Sequence, residues 1–441
     1  MQRRVVVSGC GAVTGFGYGV QPLWEGLYAG RSVLRRVRAF DPTGHPCQAS
    51  GEAADFSAKD HVPKHYRKAV KVMARDIELA VGAAKAAVED AGVRTRGNSE
   101  EGQATTYEPR RIGCQIGAGL IAAEIPELTL ALAASQDERG AFSYEKFGRG
   151  GMDNLNPLWL LKYLPNMLAC HVTIIHEACG PSNTITCGEA SGVLSIGESM
   201  RVIERGDADL CFAGGAESKV NPMGFLRMHL AGRTAPIEAA EGDEEVWRHV
   251  RPFDPQGRGT VLGEGGGILL LEAFDTAAAR GAKMSCELLG FGAGHSPMLG
   301  GPGEKAEGLQ AAIENALADA GMDPDAIDAI VPRGLGARAC DEEEAEALRR
   351  VFGGRLGRIP LVTTAPNIGD ATAGGGGIAA CVGAMCIRHQ MLPARLHAGA
   401  PAAGLEAGAA AARDARLRRV LVCTGSLGGQ NGALVMGRVD G

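Results

Sequence analysis

A chain of 441 residues exceeds the size of a single ordinary core, so two domains or two fused halves are expected. A formal net charge of −6 gives no support for nucleic acid as a general partner, and no uninterrupted apolar run approaches the ~18 residues of a membrane span. With 45% hydrophobic and 22% charged residues the composition is that of a globular protein, while 65 glycines imply many tight turns and close backbone approaches. The 12 cysteines show no CxxC pair or metal-ligand spacing, which suits a reduced, cytoplasmic chain. The basic residues Arg3 and Arg4 precede only the short apolar run Val5–Val7, too little for a secretory signal.

Val5–Gly9 reads as a buried strand ending in a glycine turn, and Val20–Gly30 as a short helix closed by glycine. From Tyr66 to Ala91 the apolar residues Val70, Met73, Ile77, Val81, Ala84 and Val88 recur at steps of three and four, which predicts a helix that stops at Gly92. Strand-like runs follow at 112–117 and 208–215. The order then recurs: a helix ending at Gly321, a strand at 327–331 and a strand at 419–425. Three matches in the same order, each displaced by roughly two hundred residues, imply a duplicated α/β unit. Of two low-complexity stretches, Ala371–Ala380 is expected to be a loop entering a tightly packed helix, and Gly399–Ala412 a surface linker or short helix.

Three segments carry a more specific pattern: Gly180-Pro181-Ser182 with Glu189 nine residues after its glycine; Gly214-Gly215-Ala216-Glu217; and Arg251-Pro252-Phe253-Asp254 followed by Gly263-Glu264-Gly265-Gly266-Gly267 and Leu271-Glu272. Together with the opening Arg4–Gly9, Trp24, Leu27, Gly30 and Phe40-Asp41, they resemble the β-ketoacyl synthases, the condensing enzymes of fatty-acid and polyketide synthesis, along nearly the whole chain. The resemblance implies a thiolase-like α/β fold of two pseudo-duplicated halves in five αβαβα layers, here taken as 1–258 and 259–441, and a dimer formed through the sheet edge and nucleophile turn.

The same resemblance implies a cysteine nucleophile, two histidines and a lysine, and none of the four is present. Glu189 falls at the cysteine. Arg333, in Val331-Pro332-Arg333-Gly334, falls at the first histidine, while Ala365 and Asp370 fall at the lysine and second histidine. The loop that carries two phenylalanines in the family reads Gly425-Ser426-Leu427-Gly428-Gly429. Glu189, Arg333 and Asp370 are expected to converge, with one cation between two carboxylates filling the polar pocket, or alternatively forming a new acid/base site. Cys187 and Cys179 are read as buried small hydrophobes. His171, His176 and Cys179 have no metal-site spacing and are read as core packing. Gly9–Gly15 lacks the glycine spacing and ribose-binding acid of a dinucleotide loop, so no cofactor is expected.

Lys64, Arg67, Lys68, Lys71 and Arg75 would lie along one face of a helix. They read equally as a solvated face or, by the resemblance, as a docking surface for an acidic acyl carrier protein. The reading that follows is a catalytically degenerate ketosynthase homologue, comparable to a chain-length factor, paired with an active ketosynthase. The alternatives are an independent acyl-thioester enzyme using Glu189 or Asp370 with Arg333, and a homodimeric binder of acyl chains or carrier protein.

Overall fold

The computed structural model describes residues 3–100, 102–297, 299 and 301–440. In chain order its principal elements are β1 (Val5–Thr14), α1 (Val20–Tyr28), α2 (Arg75–Ala91), β2 (Ile112–Gly117), α3 (Met167–His176), β3 (Ser182–Ile185), α4 (Ser191–Glu204), β4 (Leu210–Ser218) and β5 (Leu262–Ala273). The second half supplies β6 (Cys286–His295), α5 (Pro302–Asp319), β7 (Ala329–Val331), α6 (Arg338–Phe352), α7 (Ala373–His389), β8 (Arg419–Gly425) and β9 (Gln430–Gly437). The strands lie in the order β7-β8-β9-β6-β1-β5-β4-β2-β3, and within the sheet the two halves are joined by a short ladder of Val5–Val7 against Cys286–Leu288.

Strand alternation produces the layers. On β4 and β5, Cys211, Ala213, Leu269 and Leu271 pack in one cluster with Val193, Ile196 and Met200 of α4 and with α7. Their neighbours Leu210, Phe212, Ile268 and Leu270 face the other way, onto α2. On β8 and β9, Val420, Val422, Leu434 and Met436 join the same central cluster, whereas Leu421, Cys423, Ala433 and Val435 face α5 and α6. A period of two on each strand thus sandwiches α4 and α7 between two sheets and leaves α2 and α5–α6 outside. This is the five-layered, two-half thiolase-type arrangement.

The duplication is repeated in the packing. Gly9 and Gly11 of β1 lie so close to α2 that an added Cβ would overlap the carbonyls of Ala87 and Ala83. Gly290 and Gly292 of β6 stand in the same relation to the carbonyls of Ala316 and Ala312 on α5. Gly9 and Gly11 therefore serve helix–strand approach. By strand pairing we place the passage between the halves at 274–285, after β5, rather than at 258.

One local expectation is corrected and another narrowed. The helix predicted from Tyr66 begins only at Arg75, because Met73 and Ala74 are extended and buried; 64–66 and 69–72 form separate 3-10 turns. The apolar steps at Val70, Met73 and Ile77 span that break and so mimic helical periodicity. Within Gly399–Ala412 there is no helix; the segment is pinned by pairings of Glu406 with Pro360 and Ala410 with Arg395. Among the described residues, no helix is long and apolar enough to cross a membrane.

Candidate active site

The segment between β3 and α4 makes a tight turn. Gly188 has φ +56, and the Ser191 hydroxyl accepts the Cys187 N–H at 2.8 Å while donating to the Gly188 carbonyl at 2.6 Å. That closure sends Glu189 inward at the N-terminus of α4, where it is 6% exposed. The Leu427 N–H donates to Glu189 Oε2 at 3.1 Å, so the carboxylate sits on the backbone of the glycine-rich loop after β8.

Arg333 follows β7. Its own N–H and that of Gly334 donate to the buried Glu344 carboxylate at 2.9 Å each, which fixes the turn, and its guanidinium donates to the Gly425 carbonyl. Asp370 enters from the loop before α7: its N–H donates to Val261 O at 2.8 Å, and its Oδ1 accepts the Thr372 N–H at 2.8 Å. Thr372 holds φ +46 with its hydroxyl on Glu217, which also accepts the Ala373 N–H at 2.8 Å. Ala365 opens a single buried helical turn, Ala365–Ile368.

Glu189, Arg333 and Asp370 do converge, around a cavity of about 40 Å³ that Ala365 also lines. One feature differs from expectation. The guanidinium in ion-pair contact with Glu189 belongs to Arg233, at 3.4 Å, so two cations rather than one serve the cluster, Arg233 buried and Arg333 half-buried. Arg233 is 4% exposed and also donates to the Cys340 sulfur. Burial opposes the charge on Arg333, yet Cys340, Glu344, Glu189 and Asp370 hold its pKa above the ordinary arginine value. Burial and then the neighbouring Glu189 push Asp370 up to about 6, against the Thr372 N–H and the two arginines. Four buried atoms here lack hydrogen-bond partners: Glu189 Oε1, Asp370 Oδ2, Arg233 Nε and Arg333 Nε.

A second cavity, of about 190 Å³, lies on the far side of the arginines against Cys340, Ser296 and the 425–429 loop. Leu427 at the loop tip is 55% exposed, and Gly429 has φ +86. The thiols differ from expectation: Cys179, just before β3, is exposed, and Cys187, in the turn after it, is half-buried. Partial burial pushes the Cys187 thiol up. His171 and His176 are buried, hydrogen-bonded to Tyr66 and Thr95 at 2.7 Å each. Among the described residues, no group of three His, Cys, Asp or Glu side chains is placed to hold a metal ion.

Sequence reasoning missed Arg233 and Glu344. Arg233 lies in an unpatterned loop, Ala231-Gly232-Arg233-Thr234. Glu344 belongs to the acidic run Asp341–Glu344, which reads as a solvated helix face although Asp341 and Glu344 are buried. Of the basic stripe, Lys64, Arg67, Lys68 and Lys71 are exposed, but Arg75 is withdrawn from that surface. It opens α2 instead, paired with Glu264 at 2.8 Å and Glu78 at 3.2 Å.

A two-half thiolase-type fold, with a buried polar cluster gathered where the nucleophile turn meets the second half, defines a condensing-enzyme homologue. The chain matches the family model for the Beta-ketoacyl synthase, N-terminal domain over residues 2–277 and that for the C-terminal domain over residues 285–399; it belongs to the β-ketoacyl synthase family. It is 28% identical over 400 residues to 3-oxoacyl-[acyl-carrier-protein] synthase 2 of Staphylococcus aureus (strain N315), covering 90% of this chain and 89% of that one. The corresponding synthase 2 of Vibrio cholerae is 29% identical over 443 residues, covering 99% and 100% of the two chains. Among solved structures, the ishigamide ketosynthase/chain length factor is 26% identical with a TM-score of 0.81 and full coverage of both chains.

Proposed function

We propose that this chain is a non-condensing β-ketoacyl synthase homologue that acts as the partner subunit of a cysteine-bearing ketosynthase in cytoplasmic fatty-acid or polyketide synthesis. The observation that carries the reading is the Glu189 carboxylate itself. It is buried at the start of α4, sits on the Leu427 N–H and is countered by Arg233. A carboxylate there cannot be acylated and transacylated as a thiolate is, and the roughly 40 Å³ beside it holds little more than a water molecule. The likeness to a ketosynthase/chain length factor supports a subunit role, while the relatives named as synthase 2 mark the active enzymes from which this site departs.

The surface agrees with a partner. Among the described residues strand β3 is paired only with β2, its residues Ser182 and Asn183 are exposed, and Ile174 of the preceding α3 is an exposed large apolar side chain. A sheet edge of this kind invites a second chain. Lys64, Arg67, Lys68 and Lys71 are the residues we assign to acyl carrier protein docking.

Co-expression with cysteine-bearing ketosynthases of the same genome, followed by native mass spectrometry, tests the assignment. A one-to-one heterodimer is the expected species. A homodimer alone would overturn it and favour either an acyl-binding homodimer or an independent enzyme. The oxygens of Glu189 and Asp370 that accept no hydrogen bond are the observation behind the enzymatic alternative, in which Glu189→Gln abolishes turnover of an acyl thioester.

A further inference from the structure

Strand β8 runs from Arg419 to Gly425, so its ends stand about 20 Å apart at ~3.3 Å per residue. The Gly425 end meets the candidate active site. The Arg419 end opens onto a groove in two parts of about 520 and 560 Å³, joined at Arg416, which lines both.

The lining is strongly one-signed: seven arginines against three carboxylates, in a chain whose net charge is −6. Five of them, Arg358, Arg416, Arg418, Arg419 and Arg438, form no ion pair among the described residues. The other two are engaged. Arg4 pairs with Glu287 at 2.7 Å, and Arg355 donates to the carbonyls of Pro324 and Ile327 at 2.9 Å each. The carboxylates are similarly occupied: Glu287 with Arg4, and Asp328 with the N–H groups of Arg418 and Arg419 at 2.6 and 2.8 Å. Only Asp440 adds a third. Arg419 Nε is buried with no acceptor. Leu289, Met322 and Val439 give one part of the groove an apolar lining.

Like charges gathered in a concave surface raise the local potential and attract anions. Guanidinium forks match phosphate oxygens bidentately, which a carboxylate-poor, all-arginine lining favours over a general cation patch. Each part falls in the range of roughly 300–1,000 Å³ common to small-ligand sites.

We propose that this groove binds an organic polyphosphate of the nucleotide class, with its phosphates among Arg416, Arg418, Arg419 and Arg438 and its base against Leu289, Met322 and Val439. The groove stands at the opposite end of β8 from Glu189, so the assignment is independent of the subunit function.

Isothermal titration of the full chain with ATP tests it, with adenosine and inorganic tripolyphosphate as comparison ligands. The expected result is saturable one-to-one binding that weakens with salt. Because a charge-assisted hydrogen bond contributes about 1.5–3 kcal/mol, R416E/R418E is expected to weaken binding by at least about tenfold. K64E/R67E/K68E, remote on the sequence, leaves it unchanged. R418Q and R438Q are exposed single changes that retain the fold if the double reversal does not; each is expected to weaken ATP binding. No saturable heat up to millimolar ATP overturns the site. Adenosine binding as tightly as ATP overturns the phosphate contacts, and tripolyphosphate binding as tightly as ATP overturns the role given to the apolar lining.

Discussion

The Leu427 N–H points at Glu189 Oε2 from 3.1 Å, so the glycine-rich loop after β8 is held against the nucleophile turn by a carboxylate. The partner on the other oxygen is Arg233, at 3.4 Å. A buried charge of this kind depends on its counter-charges far more than on its own contribution to the fold. Arg233→Met is therefore expected to destabilise the protein by about 3–5 kcal/mol, the range for removing one partner of a buried pair. Glu189→Gln, which keeps the shape and an acceptor for Leu427, is expected to cost little. The double variant recovers much of the Arg233→Met loss, since the orphaned charge is gone. Urea denaturation of the four proteins measures this, and a double variant no better than Arg233→Met alone would contradict it.

Asp370 gives stability a pH signature. Its pKa is raised from 3.8 to about 6, so the folded state binds the proton more tightly than the unfolded chain. Its favourable contribution is complete below about pH 4 and is lost as pH rises through 6. Asp370→Asn removes that dependence while preserving an acceptor for the Thr372 N–H. The variant is expected to gain stability relative to the wild type between pH 4.5 and 7.5, by on the order of 2–3 kcal/mol. Thermal unfolding of both proteins at the two pH values reads the difference directly; an unchanged gap means Asp370 is charged throughout.

The mirrored glycines predict mirrored costs. Gly11→Ala and Gly292→Ala both push a methyl group into a helix backbone, against Ala83 and Ala312, which cannot move aside independently. Overpacking of this kind costs about 1–3 kcal/mol, and the two variants are expected to lose similar amounts. Gly375→Ala in α7 is the control. Nothing stands within 4 Å of its added Cβ, so helix propensity predicts no loss or a gain of roughly 1 kcal/mol.

What the sequence disclosed about this fold follows from which signals are local. The alternation on β4 and β8 and the glycine stop after α2 are written in adjacent residues, so the duplication could be read without coordinates. Glu189, Arg333 and Asp370 are located by the resemblance to the β-ketoacyl synthases, whose cysteine and histidine positions they occupy. Arg233 reaches Glu189 from an unpatterned loop, and Glu344 is one of four consecutive acids; neither position has a local mark of burial. Arg75 shows the opposite error. Periodicity assigned it to an exposed stripe, although the extended Met73-Ala74 redirects its guanidinium to Glu264 and the carbonyls of Ala53 and Phe56.

That difference separates docking from stability in the basic segment. K64E/R67E/K68E alters exposed side chains in and between 3-10 turns and is expected to weaken acyl carrier protein binding without moving the unfolding midpoint. Arg75→Glu sets a second carboxylate beside Glu264 and is expected to lower stability before any effect on binding can be read. Surface plasmon resonance and circular dichroism on the same preparations distinguish the two. Equal destabilisation by both variants would return Lys64, Arg67 and Lys68 to a structural role.

Restoring the thiol alone should not restore condensation. Glu189→Cys removes one carboxylate but leaves Arg233 and Arg333 in place with Glu344 and Asp370, and supplies no imidazole to promote decarboxylation at either family histidine position. The two guanidiniums near the new thiol favour its thiolate, but the site admits little more than a water, so alkylation by iodoacetamide at residue 189 is expected to be no faster than that of the half-buried Cys187. Malonyl-dependent condensation is expected to stay at background, because acylation and carbanion formation are separate requirements met by separate groups. Peptide mapping after alkylation and a condensation assay on the same sample test both halves of the prediction. Condensation by Glu189→Cys alone would show that Arg333 and Asp370 can replace the histidines, and the subunit reading would have to give way to a latent enzyme.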